Sequence, residues 1–183
     1  MNKIVPTELH RLFLIDALPE PVTAASSHLQ IYDRYIEATR IRIRQVRDPY
    51  TNSWTRLLQQ VIPALDDKFA VTNVSEIHLN DAEFAVFERF VGHETRKNRY
   101  FHEFDQTPYS FDVYLGKLRG LHTAKPEFGS REDLAAYVPP KFAVIEVTNN
   151  RFFAGESLAT REFADVQAEI SRLRSVSPEP VDE

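Results

Sequence analysis

Three arginines alternate with other residues in Ala38-Thr39-Arg40-Ile41-Arg42-Ile43-Arg44-Gln45-Val46. In a β-strand successive side chains point to opposite faces, so Arg40, Arg42 and Arg44 share one row and the isoleucines form the other. A helix would scatter the arginines over about 400° and give no common face. Arginine stays charged and presents five donors in a planar fork, which suits phosphate or carboxylate oxygens. Taken alone, such a row serves equally well as the solvated side of a sheet. Its meaning depends on what the other strands place beside it.

Several other strand-like segments also carry charge among good core residues. Lys97 and Arg99 share a row, and Asp112 stands between Phe111 and Val113. Lys125 and Glu127 share a row, and Glu146 lies in the apolar run Val144-Ile145-Glu146-Val147-Thr148. Each residue alone reads as solvent-facing. Together they repeat one half-charged, half-apolar pattern with both signs interleaved, which a closed barrel with a polar lumen produces naturally. Opposite charges facing one another across such an interior also satisfy the pairing that buried charge requires.

The elements that must position these rows follow from period and punctuation. Strand patterns run over residues 7–16, 24–35, 38–46, 54–62, 69–79, 94–103, 109–114, 118–128 and 142–148. A hairpin turn is expected near residues 36–38, and another at Asp105-Gln106-Thr107-Pro108. Asn80 and Glu83 form a capping-box signature for a helix that Gly92 closes. A second helix spans 130–137, and a third spans 163–173 with Phe163, Val166, Ile170 and Leu173 on one face. The expected fold is α+β, mainly antiparallel β: a closed, tunnel-like barrel of about eight strands with a few flanking helices. One domain covers residues 1–174. The proline- and acid-rich stretch 175–183 reads as a disordered tail.

Composition sets limits on function. Hydrophobic residues make up 43% and charged residues 27%, as expected of a soluble globular domain. A net charge of −5 argues against non-specific nucleic-acid binding. With no cysteine, disulfides and thiolate metal sites are excluded. No long apolar run and no signal-peptide pattern are present, so the expectation is a cytoplasmic protein with no membrane partner.

Five pieces, in order, carry a family resemblance: Arg40-x-Arg42-x-Arg44; Lys97-Asn98-Arg99-Tyr100; Asp112-Val113-Tyr114 through Gly116-Lys117-Leu118-Arg119-Gly120-Leu121; Glu146-Val147-Thr148; and Ser157-Leu158-Ala159. In these the chain resembles the CYTH domain, the triphosphate tunnel metalloenzyme superfamily of thiamine triphosphatases, inorganic triphosphatases and class IV adenylyl cyclases. The resemblance spans most of residues 8–159. It implies a tunnel whose basic residues grip a triphosphate and whose acids hold one or two divalent metals. On that basis Arg40, Arg42, Arg44, Lys97, Arg99 and Lys125 are the expected phosphate ligands, and Glu8, Asp112, Glu127 and Glu146 the candidate metal ligands.

The departures concern the metal end. Where the family opens Glu-x-Glu-x-Lys, this chain has Glu8-Leu9-His10-Arg11-Leu12, so His10 replaces the second acid and Leu12 the lysine. A further family lysine falls at Val61, and a late Glu-x-Glu pair becomes Lys125-Pro126-Glu127. A lysine about 5 Å from a divalent ion repels it by roughly 7 kcal/mol at an effective dielectric of about 20. The sequence therefore points to a protein that binds a triphosphate or other phosphate-rich small anion in a cationic tunnel, with weak or no catalysis and at most weakly held Mg or Mn. The alternative is a metal-dependent triphosphatase with a reduced metal site. Nothing specifies a nucleoside pocket. A monomer and a homodimer fit the sequence equally well, and the last helix could plug the barrel or lie outside it.

Overall fold

The computed structural model describes residues 7–63 and 70–176. Ten strands form one antiparallel sheet: β1 (Thr7–His10), β2 (Phe13–Leu14), β3 (His28–Ile36), β4 (Ile41–Asp48), β5 (Ser53–Pro63), β6 (Ala70–His78), β7 (Gly92–Phe104), β8 (Thr107–Leu115), β9 (His122–Phe128) and β10 (Ile145–Glu146). Their order is β1-β6-β5-β4-β3-β7-β8-β9-β2-β10. β1 pairs with β6 along its length and also with β9, through Leu9 opposite Phe128 and His10 opposite Glu127. The helices are α1 (Asp81–Phe87), α2 (Arg131–Ala136), α3 (Gly155–Leu158) and α4 (Phe163–Val176).

The register fixes which side chains share a face, because residues directly opposite one another across an antiparallel pair point the same way. Tyr35 lies opposite Arg42, Arg42 opposite Gln59 and Gln59 opposite Glu76. Asp33 lies opposite Arg44 and Thr95. Lys97 lies opposite Ile31 and Tyr114, and Asp112 opposite Arg99 and Thr123. These residues make one charged face running across β6, β5, β4, β3, β7, β8 and β9. Tyr100, Phe111 and Ala124 alternate with them on the opposite face and are buried there among Ile15, Val22 and Tyr109, and Phe13, opposite Ala124, is buried on the same face.

A second apolar cluster joins Leu14, Leu118, Leu121, Val147, Phe153, Leu158 and Val166, and it reaches the charged face at Tyr114. α4 contributes Val166 with Phe163, Ile170 and Leu173, the stripe expected from its period. The helix therefore packs beside β2 and the turn after β8. The segment that approaches the charged face is the start of α3: a Cβ on Gly155 would lie 1.9 Å from the Tyr35 hydroxyl. Glycine is required there by close approach.

Local chemistry explains the element ends. The Asn80–Glu83 capping box is complete on α1, and Ser130 caps α2. Asp105 and Gln106 both have positive φ, the two-residue hairpin geometry that joins β7 to β8.

Several boundaries differ from the sequence expectation. The first strand breaks at Arg11-Leu12, so β1 pairs with β6 while β2 turns to β9 and β10. The arginine strand begins at Ile41, because Ala38 with φ 56° turns the chain first. α1 ends at Phe87, and Gly92 opens β7, with Tyr35 O only 2.3 Å from where its Cβ would stand. The 118–128 segment begins as a 3₁₀ turn at Gly116–Leu118, and β10 shrinks to two residues. Of the expected tail, residues 177–183 lie outside the described part, while 175 and 176 still belong to α4. Among the described residues no helix is long and apolar enough to cross a membrane.

Candidate anion-binding site

β3, β4, β7 and β8 bring six charged side chains together. Asp33 accepts Nε and Nη2 of Arg44, each at 2.7 Å, and lies 3.8 Å from Arg42 Nε. Asp112 accepts Nε and Nη2 of Arg99, each at 2.7 Å, and Lys97 Nζ at 2.7 Å. Side-chain exposure is 0% for Asp33, 8% for Asp112, 9% for Lys97 and 13–16% for Arg42, Arg44 and Arg99. Four cations thus face two carboxylates in a nearly dry setting, leaving two positive charges in excess.

Arg42 differs from the other three. Gln59 Oε1 accepts its Nε at 3.0 Å and Nη2 at 2.6 Å, and its Nη1 donates to the Tyr35 hydroxyl at 3.3 Å. Gln59 in turn donates to Glu76 Oε2 at 2.9 Å. The hydrogen-bond partners of Arg42 are neutral, whereas Arg44, Lys97 and Arg99 each hold a carboxylate.

Titration follows this geometry. Burial disfavours the ionised form of Asp33 and Asp112, but the adjacent arginines outweigh it and hold both carboxyls well below their ordinary value. Burial also lowers Lys97, to about 8, because Asp112 offsets the desolvation only in part while Arg99 and Arg44 repel the ammonium. Burial raises the Tyr35 and Tyr114 phenols, so both stay protonated. The ammonium of Lys97 also stands 5.2 Å from the centre of the Tyr114 ring.

The sequence-predicted residues divide between this cluster and other places. Arg42, Arg44, Lys97, Arg99 and Asp112 are in it. Arg40 is exposed in the turn before β4. Lys125 and Glu127 share the charged face on β9, with 3.3 Å between Nζ and Oε1, and Ser110 stands opposite Lys125. Glu8 belongs to the same strand as His10 and lies opposite Thr72. Glu146 stands apart: on β10 it pairs with Arg11, accepting Nε at 2.8 Å, and takes the Thr148 hydroxyl at 2.6 Å.

Sequence reasoning missed Asp33, Tyr35, Gln59 and Glu76. The signal for Asp33 was available. It shares a row with Ile31 and Tyr35, and it faces the arginine strand across the first hairpin.

The described side chains form no preassembled divalent-metal site. Among the described residues no three His, Asp or Glu side chains gather round one point. Asp112 is held by Lys97 and Arg99, Glu127 has Lys125 beside it, and Glu146 pairs with Arg11.

No family model and no curated protein matches the chain. Solved structures do. The inorganic triphosphatase NE1496 superposes with a TM-score of 0.57 at 19% identity, over 84% of this chain and 95% of that one. A second structure, described as the hypothetical protein NE1496, gives 0.57 and 19% over 85% and 99%. A proposed adenylyl cyclase from Hippeastrum, HpAC1, described as having a dominant triphosphatase activity, gives 0.41 and 11% over 70% and 82%. At 19% identity the likeness to NE1496 is one of fold.

Proposed function

We propose that this chain, whose fold is similar to that of the inorganic triphosphatase NE1496, belongs to the CYTH, or triphosphate tunnel, superfamily and binds a phosphate-rich small anion on its charged face without a divalent metal. The reading takes the sheet as a tunnel, with β1 bridging β6 on one side and β9 on the other. The observation that carries it is the buried cluster of Arg42, Arg44, Lys97 and Arg99 against Asp33 and Asp112. Charge left unbalanced in a low-dielectric setting is costly, and a bound anion is the natural counter-charge. Guanidinium forks supply paired donors that match phosphoryl oxygens.

Catalysis by this fold's chemistry needs acids free to hold a metal. Here Asp112 is occupied by cations, and Lys125 stands where the family pattern places an acid. Binding is therefore the main activity, and phosphoryl transfer is weak or absent.

Calorimetric titration with tripolyphosphate in the presence of a chelator, run beside a phosphate-release assay with Mg²⁺ or Mn²⁺, tests this. The expected result is binding of one anion per chain, lost in Arg42→Ala, without metal-stimulated release. Metal-dependent turnover that disappears in Glu127→Ala would overturn the reading in favour of a triphosphatase.

A further inference from the structure

We infer that Asp33, supported by Glu76, sets the charge of the group that the site accepts, matching it to a single dianionic phosphoryl or sulfuryl group centred on Arg42. The inference rests on the binding reading above and names what that site selects.

The Asp33 carboxylate is fully buried and takes the Nε–Nη2 edge of Arg44 at 2.7 Å for both bonds. That edge is the one a phosphoryl group would use, since both present two acceptor oxygens to the fork. Asp112 occupies the same edge of Arg99 and also takes the Lys97 ammonium. The two aspartates are thus internal occupants of two of the three guanidinium forks. The third fork, on Arg42, is held by the neutral Gln59 and Tyr35, and these can be displaced or shared without leaving a carboxylate unpaired. Glu76 acts through Gln59, whose Nε2 it accepts at 2.9 Å.

Over the six buried side chains, with the exposed Glu76 screened by solvent, the excess of two positive charges equals the charge of one sulfate or one doubly ionised phosphoryl group. A group with more charge at the same place would leave net negative charge next to Asp33 and Asp112, where little water screens it. The remaining phosphates of a longer ligand then extend beyond the cluster, and they add less affinity than their charge alone would suggest. Removing Asp33 changes that balance toward more highly charged anions.

The test measures sulfate, pyrophosphate and tripolyphosphate binding by calorimetry with a chelator present. In the unaltered protein the three affinities fall within about tenfold of one another, a span of 1.4 kcal/mol. In Asp33→Asn the ratio of tripolyphosphate to sulfate affinity rises by about tenfold. Glu76→Gln, at an exposed position, shifts the ratio the same way by about threefold and keeps the test valid if Asp33→Asn does not fold. A ratio above about tenfold in the unaltered protein, or one that neither variant changes, overturns the inference and leaves binding intact. Failure of all three anions to bind overturns the binding reading itself.

Discussion

Replacing Asp112 with asparagine removes one charge and keeps the shape of the side chain. In the native protein its carboxylate holds three charge-assisted hydrogen bonds of 2.7 Å, two from Arg99 and one from Lys97. Its side chain is 8% exposed and those of its partners 16% and 9%, so the two cations gain little hydration when it goes. Breaking a buried pair while leaving its partner charged costs about 3–5 kcal/mol. For a chain of this size that is a fall of about 6–20 °C in melting temperature. The exposed pair Arg34–Glu94, at 29% and 52%, is the internal control, and Glu94→Gln costs under about 1 kcal/mol. Thermal unfolding followed by circular dichroism measures both. Sulfate is expected to stabilise Asp112→Asn more than the unaltered protein, because the bound anion replaces the missing charge. Saturation at about 100 times the dissociation constant is worth about 2.7 kcal/mol. A variant that melts within about 1 °C of the unaltered protein would refute the reasoning. So would equal stabilisation of both by sulfate.

Other predictions concern protons, packing and metal. Lys97 is lowered from 10.5 to about 8, so the unfolded chain takes up this proton before the folded one as pH falls. Its contribution to stability therefore drops between about pH 10.5 and 8 and is fully lost below that, which urea midpoints across the window measure. A bound anion favours the ammonium, so sulfate affinity weakens as pH rises through about 8, by at most about tenfold per unit for one linked proton. Lys97→Arg flattens that profile; a dependence unchanged in the variant would place the proton elsewhere, since Asp33, Asp112, Arg44, Arg99 and Tyr114 surround this group. Asp33 and Asp112 act in the opposite direction: their stabilisation is present above the ordinary carboxyl range and is lost as acid titrates the folded state. Gly155→Ala drives a methyl group into the Tyr35 hydroxyl and costs about 1–3 kcal/mol, relieved in part by Tyr35→Phe in the same chain. Lys125→Glu combined with His10→Glu puts two more acids beside Glu127, and Mn²⁺ binding followed by electron paramagnetic resonance should rise at least about tenfold; no rise would count against the β1–β9 register.

The alternation of Arg42 and Arg44, the Lys97-x-Arg99 pair and Asp112 were legible in the sequence because strand period assigns a face without knowledge of partners. The Asn80–Glu83 capping box and the Asp105–Gln106 turn were legible because their chemistry is local. Asp33 carried a local signal, in the row it shares with Ile31 and Tyr35, but its pairing with the arginines, like the role of Glu76, depends on which strands lie opposite, and register across four strands is not written in any one of them. Glu146 shows the converse error. Its flanking valines and isoleucine resemble those of a central strand, but β10 pairs only through Ile145 and Glu146, and Arg11 claims the carboxylate. Missing Asp33 and Glu76 also made the charged face look more cationic than it is. The arginines are largely answered from within, and the residual charge is concentrated near Arg42.

A crystal structure of the protein grown or soaked with sulfate in the absence of divalent metal tests the central claim most directly. The prediction is one tetrahedral anion within hydrogen-bond distance of Arg42 and at least one of Arg99 and Lys97, on the charged face. An anion seated instead on the opposite face, where Arg96 stacks on Tyr32 and Arg47 on Trp54, would contradict it.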